Sequence, residues 1–112
     1  MPNAESIGPC RLSQGASGQW SLTFYDLHTT AEVFEAQHHL PNGYAWEGVV
    51  RVLVSPEALQ RIAIDSEADM FCAYGTEPEA LRQVGKAISD AVADHKLLAA
   101  AIVRATRDNV MD

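Results

Sequence analysis

From Leu81 to Ala105, apolar and small residues recur at alternating steps of three and four: Leu81, Val84, Ile88, Ala91, His95, Leu98, Ile102, Ala105. That period lays one stripe along one side of an α-helix, and such a stripe must be buried against something. Two readings fit the period. It is one long helix beginning near Glu77 with Thr76 as its cap, or two helices with Asp94 capping the second. The alanines, the histidine and the short run make a poor coiled-coil seam. The stripe is therefore read as the cover of one face of a small sheet.

The sheet itself is legible in two hairpins. Gln19 to Asp26 alternates, with Trp20, Leu22 and Phe24 on one side and Ser21, Thr23 and Tyr25 on the other. This is the pattern of a half-buried strand. Cys10 to Ser13 precedes it across the flexible turn Gln14-Gly15-Ala16-Ser17-Gly18. Ile62 to Asp65 and Asp69 to Tyr74 form the second hairpin, linked by Ser66-Glu67-Ala68. Met1 to Pro9 reads as a loose lead-in.

Between the hairpins lie helical segments. Thr29 and Glu32 have the spacing of a capping box, and Pro41 disfavours helical geometry at Leu40, so this helix ends near His39. Asn42-Gly43 reads as a sharp reversal. Ala45 to Val54 follows as an apolar helix carrying Trp46, Val49, Val50 and Leu53. Ser55-Pro56 then opens a helical turn or two through Arg61. The expected fold is α+β, an antiparallel sheet of about four strands from two hairpins packed against helices, in the order ββααββα(α). At 112 residues the chain supports one domain, with its folded core over 10–106.

Charge narrows the partners. The net charge is −7, and the stretch from Asp26 to Glu79 holds ten carboxylates against Arg51 and Arg61. Such a surface repels nucleic acid and attracts a basic protein. No apolar run is long enough to span a bilayer, and the first residues lack the basic region and apolar core of a signal peptide, so a cytoplasmic protein without a membrane partner is expected. The two cysteines, Cys10 and Cys72, are read as free thiols.

No set of residues points to catalysis, a metal or a cofactor. His38 and His39 are adjacent and diverge by about 100° on a helix, which suits no shared ion. Asp65, Glu67 and Asp69 alternate as calcium loops do, but the glycine and glutamate that such loops need are absent. No glycine-rich phosphate loop follows a strand. What remains is a recognition surface. Tyr44, beside the Asn42-Gly43 reversal, is the contact candidate. Trp46 is expected in the core with Trp20, Phe71 and Tyr74 as further anchors.

The segment Asn42-Gly43-Tyr44-Ala45-Trp46-Glu47, with Met70-Phe71-Cys72-Ala73-Tyr74-Gly75, resembles a family of small bacterial immunity proteins. These are encoded beside polymorphic toxins, including contact-dependent and type VI secretion effectors. The resemblance runs from about Trp20 to Asp94. Pro41 stands where that pattern has glycine, and Ala45 where it has aspartate. The resemblance implies a stoichiometric inhibitor that binds a cognate toxin, with a nuclease as the leading candidate, and has no enzyme activity. Asn42, Tyr44, Glu47, Asp65, Glu67 and Asp69 are the expected toxin-binding residues. The alternative is a small-molecule or regulatory binding domain with a pocket near Tyr44 and Trp46.

Overall fold

The computed structural model describes residues 4–111. Five antiparallel strands form one sheet in the order β1-β2-β3-β5-β4. They are β1 (Ala4–Ile7), β2 (Cys10–Gln14), β3 (Trp20–Phe24), β4 (Ala63–Ile64) and β5 (Phe71–Gly75). A short 3-10 helix, Leu27–Thr30, leads into α1 (Ala31–Ala36), followed by α2 (Gly43–Leu53) and α3 (Pro56–Leu59). After β5 come α4 (Pro78–Ala93) and α5 (His95–Arg107).

The alternation of β3 places Leu22 and Phe24 in the interior. Leu22 lies between Leu12 of β2 and Ala73 of β5, and Phe24 lies opposite Phe71. All five of these side chains are fully buried. They meet Leu81, Val84 and Ile88 of α4 and Leu98 and Ile102 of α5 in one core. The opposite side of the sheet is different. Arg11, Ser13, Ser21, Thr23, Cys72 and Tyr74 are all half-buried or exposed. The molecule therefore has two layers, a sheet and its helices, with one sheet face left open.

The extra strand corrects the loose lead-in, whose first residues, Met1 to Asn3, lie outside the described ones. Ala4–Ile7 pairs with β2, with Ile7 opposite Cys10 and Glu5 opposite Leu12. Gly8, at φ +55°, makes the reversal, and a β-carbon there would strike Ser89 of α4. Ile7 packs against Gly85. The Glu5 carboxylate accepts hydrogen bonds from Arg82 of α4, the shortest at 2.9 Å, which hold it below its usual pKa. Alternation is weak in Ala4-Glu5-Ser6-Ile7, and contacts with α4 give this strand its place. The count of five strands thus replaces the expected four.

Of the two readings of the long stripe, the chain adopts the second. Asp94 is extended, at φ −130° and ψ 97°, and its carboxylate accepts from the Lys96 and Leu97 amides at 3.0 and 3.3 Å. Burial continues in phase across the break, through Ala91 and then Leu98, while His95 is exposed. Two expected caps are not made. Glu77, rather than Thr76, precedes α4 and offers no side-chain cap. Thr29 lies in the 3-10 helix and donates to the Asp26 carbonyl at 2.9 Å, so no capping box forms with Glu32. The first α-helix stops at Ala36, and His38 turns the chain at φ 64°. Ser55, by contrast, caps α3 with Pro56 at its first position.

Trp46 is fully buried on α2. Its ring meets Phe24 edge-on at 5.1 Å and Phe34 at 5.4 Å. Among the described residues its indole N–H has no hydrogen-bond partner, so the stabilisation rests on apolar area and ring packing. Cys10 is buried on β2, and burial pushes its thiol up to about 12. Trp46→Ala is expected to cost about 3–5 kcal/mol, the usual range for truncating a buried aromatic. Chemical denaturation with tertiary signals from Phe and Tyr measures it, and an unchanged midpoint would place Trp46 outside the core.

Candidate functional site

The start of α2 and the link between β4 and β5 are built against each other. Asn42 is extended, at φ −127° and ψ 175°, and its side chain accepts from the Ala45 amide at 2.8 Å. Asn42-Gly43 is thus a helix N-cap rather than a tight reversal, because asparagine is as good a cap as it is a turn residue. Glycine is required next for a different reason. The Gly43 amide donates to the Ala68 carbonyl at 3.1 Å, and a β-carbon at Gly43 would collide with the carbonyl oxygens of Glu67 and Met70.

One turn later Glu47 fastens the same link. One carboxylate oxygen accepts from the Ser66 amide at 3.1 Å, and the other lies 3.5 Å from Arg51. Ser66 is buried, and its hydroxyl accepts from the Cys72 amide at 3.1 Å. Glu67 and Met70 exchange backbone hydrogen bonds of 2.9 and 3.3 Å, closing a two-residue turn over Ala68 and Asp69. Held from inside, the link presents Asp65, Glu67, Ala68 and Asp69 to solvent.

All six residues singled out in the sequence therefore meet at one edge, in two roles. Asn42 and Glu47 have side chains engaged in holding the fold. Tyr44 is 40% exposed, and Asp65, Glu67 and Asp69 are fully on the surface. Leu40, which the sequence reading treated only as a helix boundary, lies four residues before Tyr44 and is 74% exposed. Its signal was available: an apolar residue before Pro41 falls outside any helical stripe.

The charges at this edge are unbalanced. Elsewhere carboxylates find cations, as in Arg61 with Glu77 at 3.7 Å and Lys86 with Asp90 at 2.8 Å. Among the described residues no ion pair reaches Asp65, Glu67 or Asp69. The nearby Cys72 thiol is pushed up, first by burial and then by the negative fields of Asp65 and Glu67.

The anchors divide as the strand alternation dictates. Trp46 and Phe71 are fully buried, and Trp20 is half-buried against the core. Tyr74 departs from the expected anchors. In β5 Phe71 and Ala73 point inward, so Tyr74 falls on the open face with Cys72. Trp46 is sealed in the core. A cleft of about 260 Å³ lies instead at the far end of α2, among Leu53, Val54, Gln83, Lys86, Ala87, Asp90 and Leu97. That is roughly 14 Å along the helix from Tyr44. Among the described residues no group of three His, Cys, Asp or Glu side chains could hold a metal ion. None of their helices is long and apolar enough to cross a membrane.

The profile of a family described as immunity protein 51 matches residues 10–107, from β2 to the end of α5. The chain belongs to this family. No curated protein and no solved structure matches it. Family membership gives the chain an immunity role and, in general terms, a toxin protein as partner. It also sorts the structure. The α2 start, the β4–β5 link and both helices of the stripe lie within the match, whereas β1 and the tail through Met111 lie outside it.

The contrast between Asn42 and Tyr44 can be measured. Asn42→Ala removes the cap and is expected to lower stability by about 1 kcal/mol. Tyr44→Ala should leave the unfolding midpoint nearly unchanged. Equal losses of stability for both would show that Tyr44 also holds the fold.

Proposed function

We propose that this protein neutralises one co-encoded toxin by direct stoichiometric binding, and that the edge formed by the α2 start and the β4–β5 link meets a basic face of that toxin. One observation carries this: a hydrogen-bonded edge that presents three carboxylates, without an ion pair among the described residues, together with the exposed Tyr44 and Leu40. Among the described residues no ion pair uses those charges. An unpaired acidic rim around an apolar anchor suits a partner with cations around a pocket.

A nuclease toxin fits best, because a protein that binds phosphates must carry such a basic surface. Blocking that surface would exclude its nucleic-acid substrate without any chemistry by the inhibitor. The proposed site of action is the cytoplasm, where a delivered effector meets its targets, and the system would be of the contact-dependent or type VI kind. In this account the carboxylates raise the association rate, and Tyr44 with Leu40 supplies the slow dissociation.

Co-expression with the neighbouring toxin domain should restore growth. Full killing in the presence of folded, expressed protein would sink the proposal.

Association kinetics give a second test. The association rate should fall as salt rises, since screening acts over about 8 Å at physiological ionic strength. It should fall further in the Glu67→Gln, Asp69→Asn double variant. A rate indifferent to both salt and the two neutralisations would assign the acidity to solubility alone.

A further inference from the structure

The edge described above is too small to hold an inhibitor by itself. It exposes Leu40, Tyr44, Asp65, Glu67, Ala68 and Asp69, whereas a stable protein complex engages about 20–30 residues on each side. The contact must extend onto a neighbouring surface, and the structure has one of the right kind. The β4–β5 link is a shared border. Its inner side seats the start of α2 through Gly43 and Glu47. Its outer side continues into the open face of the sheet, because Asp65 donates its amide to the Cys72 carbonyl at 2.9 Å and so extends β4 alongside β5.

That face has a defined composition. Along β5 and the residue before it, Met70, Cys72 and Tyr74 point outward, half-buried, between the inward Phe71 and Ala73. Along β3, Thr23 lies directly opposite Cys72, and Tyr25 beyond it is 63% exposed. Arg11 lies on the other side of Thr23, so one row across the sheet reads Arg11, Thr23, Cys72, Asp65. From strand spacing alone the face measures roughly 20 by 15 Å. It carries Met70, Cys72 and Tyr74 in a strip along β5, with acid toward the link.

We propose that this open face is the main body of the toxin interface, and that it receives a protein surface with apolar groups over Met70, Cys72 and Tyr74 and a cation opposite Asp65. This rests on the toxin-binding reading above. Continuity with the link and charge complementarity both favour that occupant. A second copy of this chain is disfavoured, because two molecules of net charge −7 repel.

Cys72 provides a built-in reporter. Cys10 is 2% exposed with its thiol pushed up to about 12, so a maleimide reports Cys72 alone in the folded protein. The experiment uses the full chain with the neighbouring toxin domain, inactivated by a catalytic substitution. Labelling of Cys72 should slow at least tenfold in the saturated complex. Thr23→Arg places a long cation on the solvent side of the sheet and should weaken binding at least tenfold with an unchanged melting temperature. If Thr23→Arg fails to fold, the labelling rate of the wild type decides.

Toxin bound by the wild type with Cys72 labelled at the free rate would overturn the inference and leave the toxin-binding reading standing. The same holds if Thr23→Arg converts a dimer to a monomer yet binds toxin normally, which would give the face to a second copy. No binding of the toxin by the wild type would remove the reading itself, and the inference with it.

Discussion

Trp46 packed against Phe24 and Phe34 is the contact on which the arrangement depends. It joins the central strand, the short first α-helix and α2 at one point in the core. Once Trp46 is fixed, the direction of α2 is fixed, and so is the position of its first turn. That turn reaches the β4–β5 link through backbone contact at Gly43 and through the Glu47 carboxylate on Ser66. A surface feature is thus positioned by an interior one. The link has almost no apolar anchor of its own, since Ser66 is its buried residue. Its shape is set by hydrogen bonds from both sides.

Glu47 separates two uses of a carboxylate that are indistinguishable in composition. Its side chain is 14% exposed, accepts from a backbone amide and lies near Arg51. Asp65, Glu67 and Asp69, nearby in space, have no ion pair among the described residues. A partly buried carboxylate must be satisfied and becomes part of the fold. Solvated carboxylates need no partner and retain their long-range field. The same net charge therefore divides into a structural part and a part available for recognition, and burial decides which residue belongs to which.

The one-sided sheet has a similar logic. Every described helix that packs on the sheet draws on the same inward row of Leu12, Leu22, Phe24, Phe71 and Ala73. A chain this short has enough apolar residues for one such interface, and the second face is left with small and amphipathic side chains. Edge strands are correspondingly brief. β4 has two residues, which limits unwanted pairing along that side.

Much of this was decided by the sequence alone. The alternation of Trp20, Leu22 and Phe24 specified β3 and its buried side, and the stripe from Leu81 to Ala105 specified helices covering a sheet. The motifs around Asn42 and Met70 pointed to an immunity family, which the match over residues 10–107 establishes. These features are legible because periodicity and short motifs are local. What only the tertiary structure decided is whatever depends on a distant neighbour. Ala4–Ile7 is a strand because Arg82 and Gly85 of α4 receive it. Asn42-Gly43 is a helix cap set against the link, where a β-carbon at position 43 would strike the Glu67 and Met70 carbonyls. Asp94 parts the two helices although the stripe stays in phase across it. Tyr74 faces outward because β5 enters the sheet with Phe71 inside. A side chain's role follows from what lies across the space beside it, and that neighbour is set by packing between segments far apart in the chain.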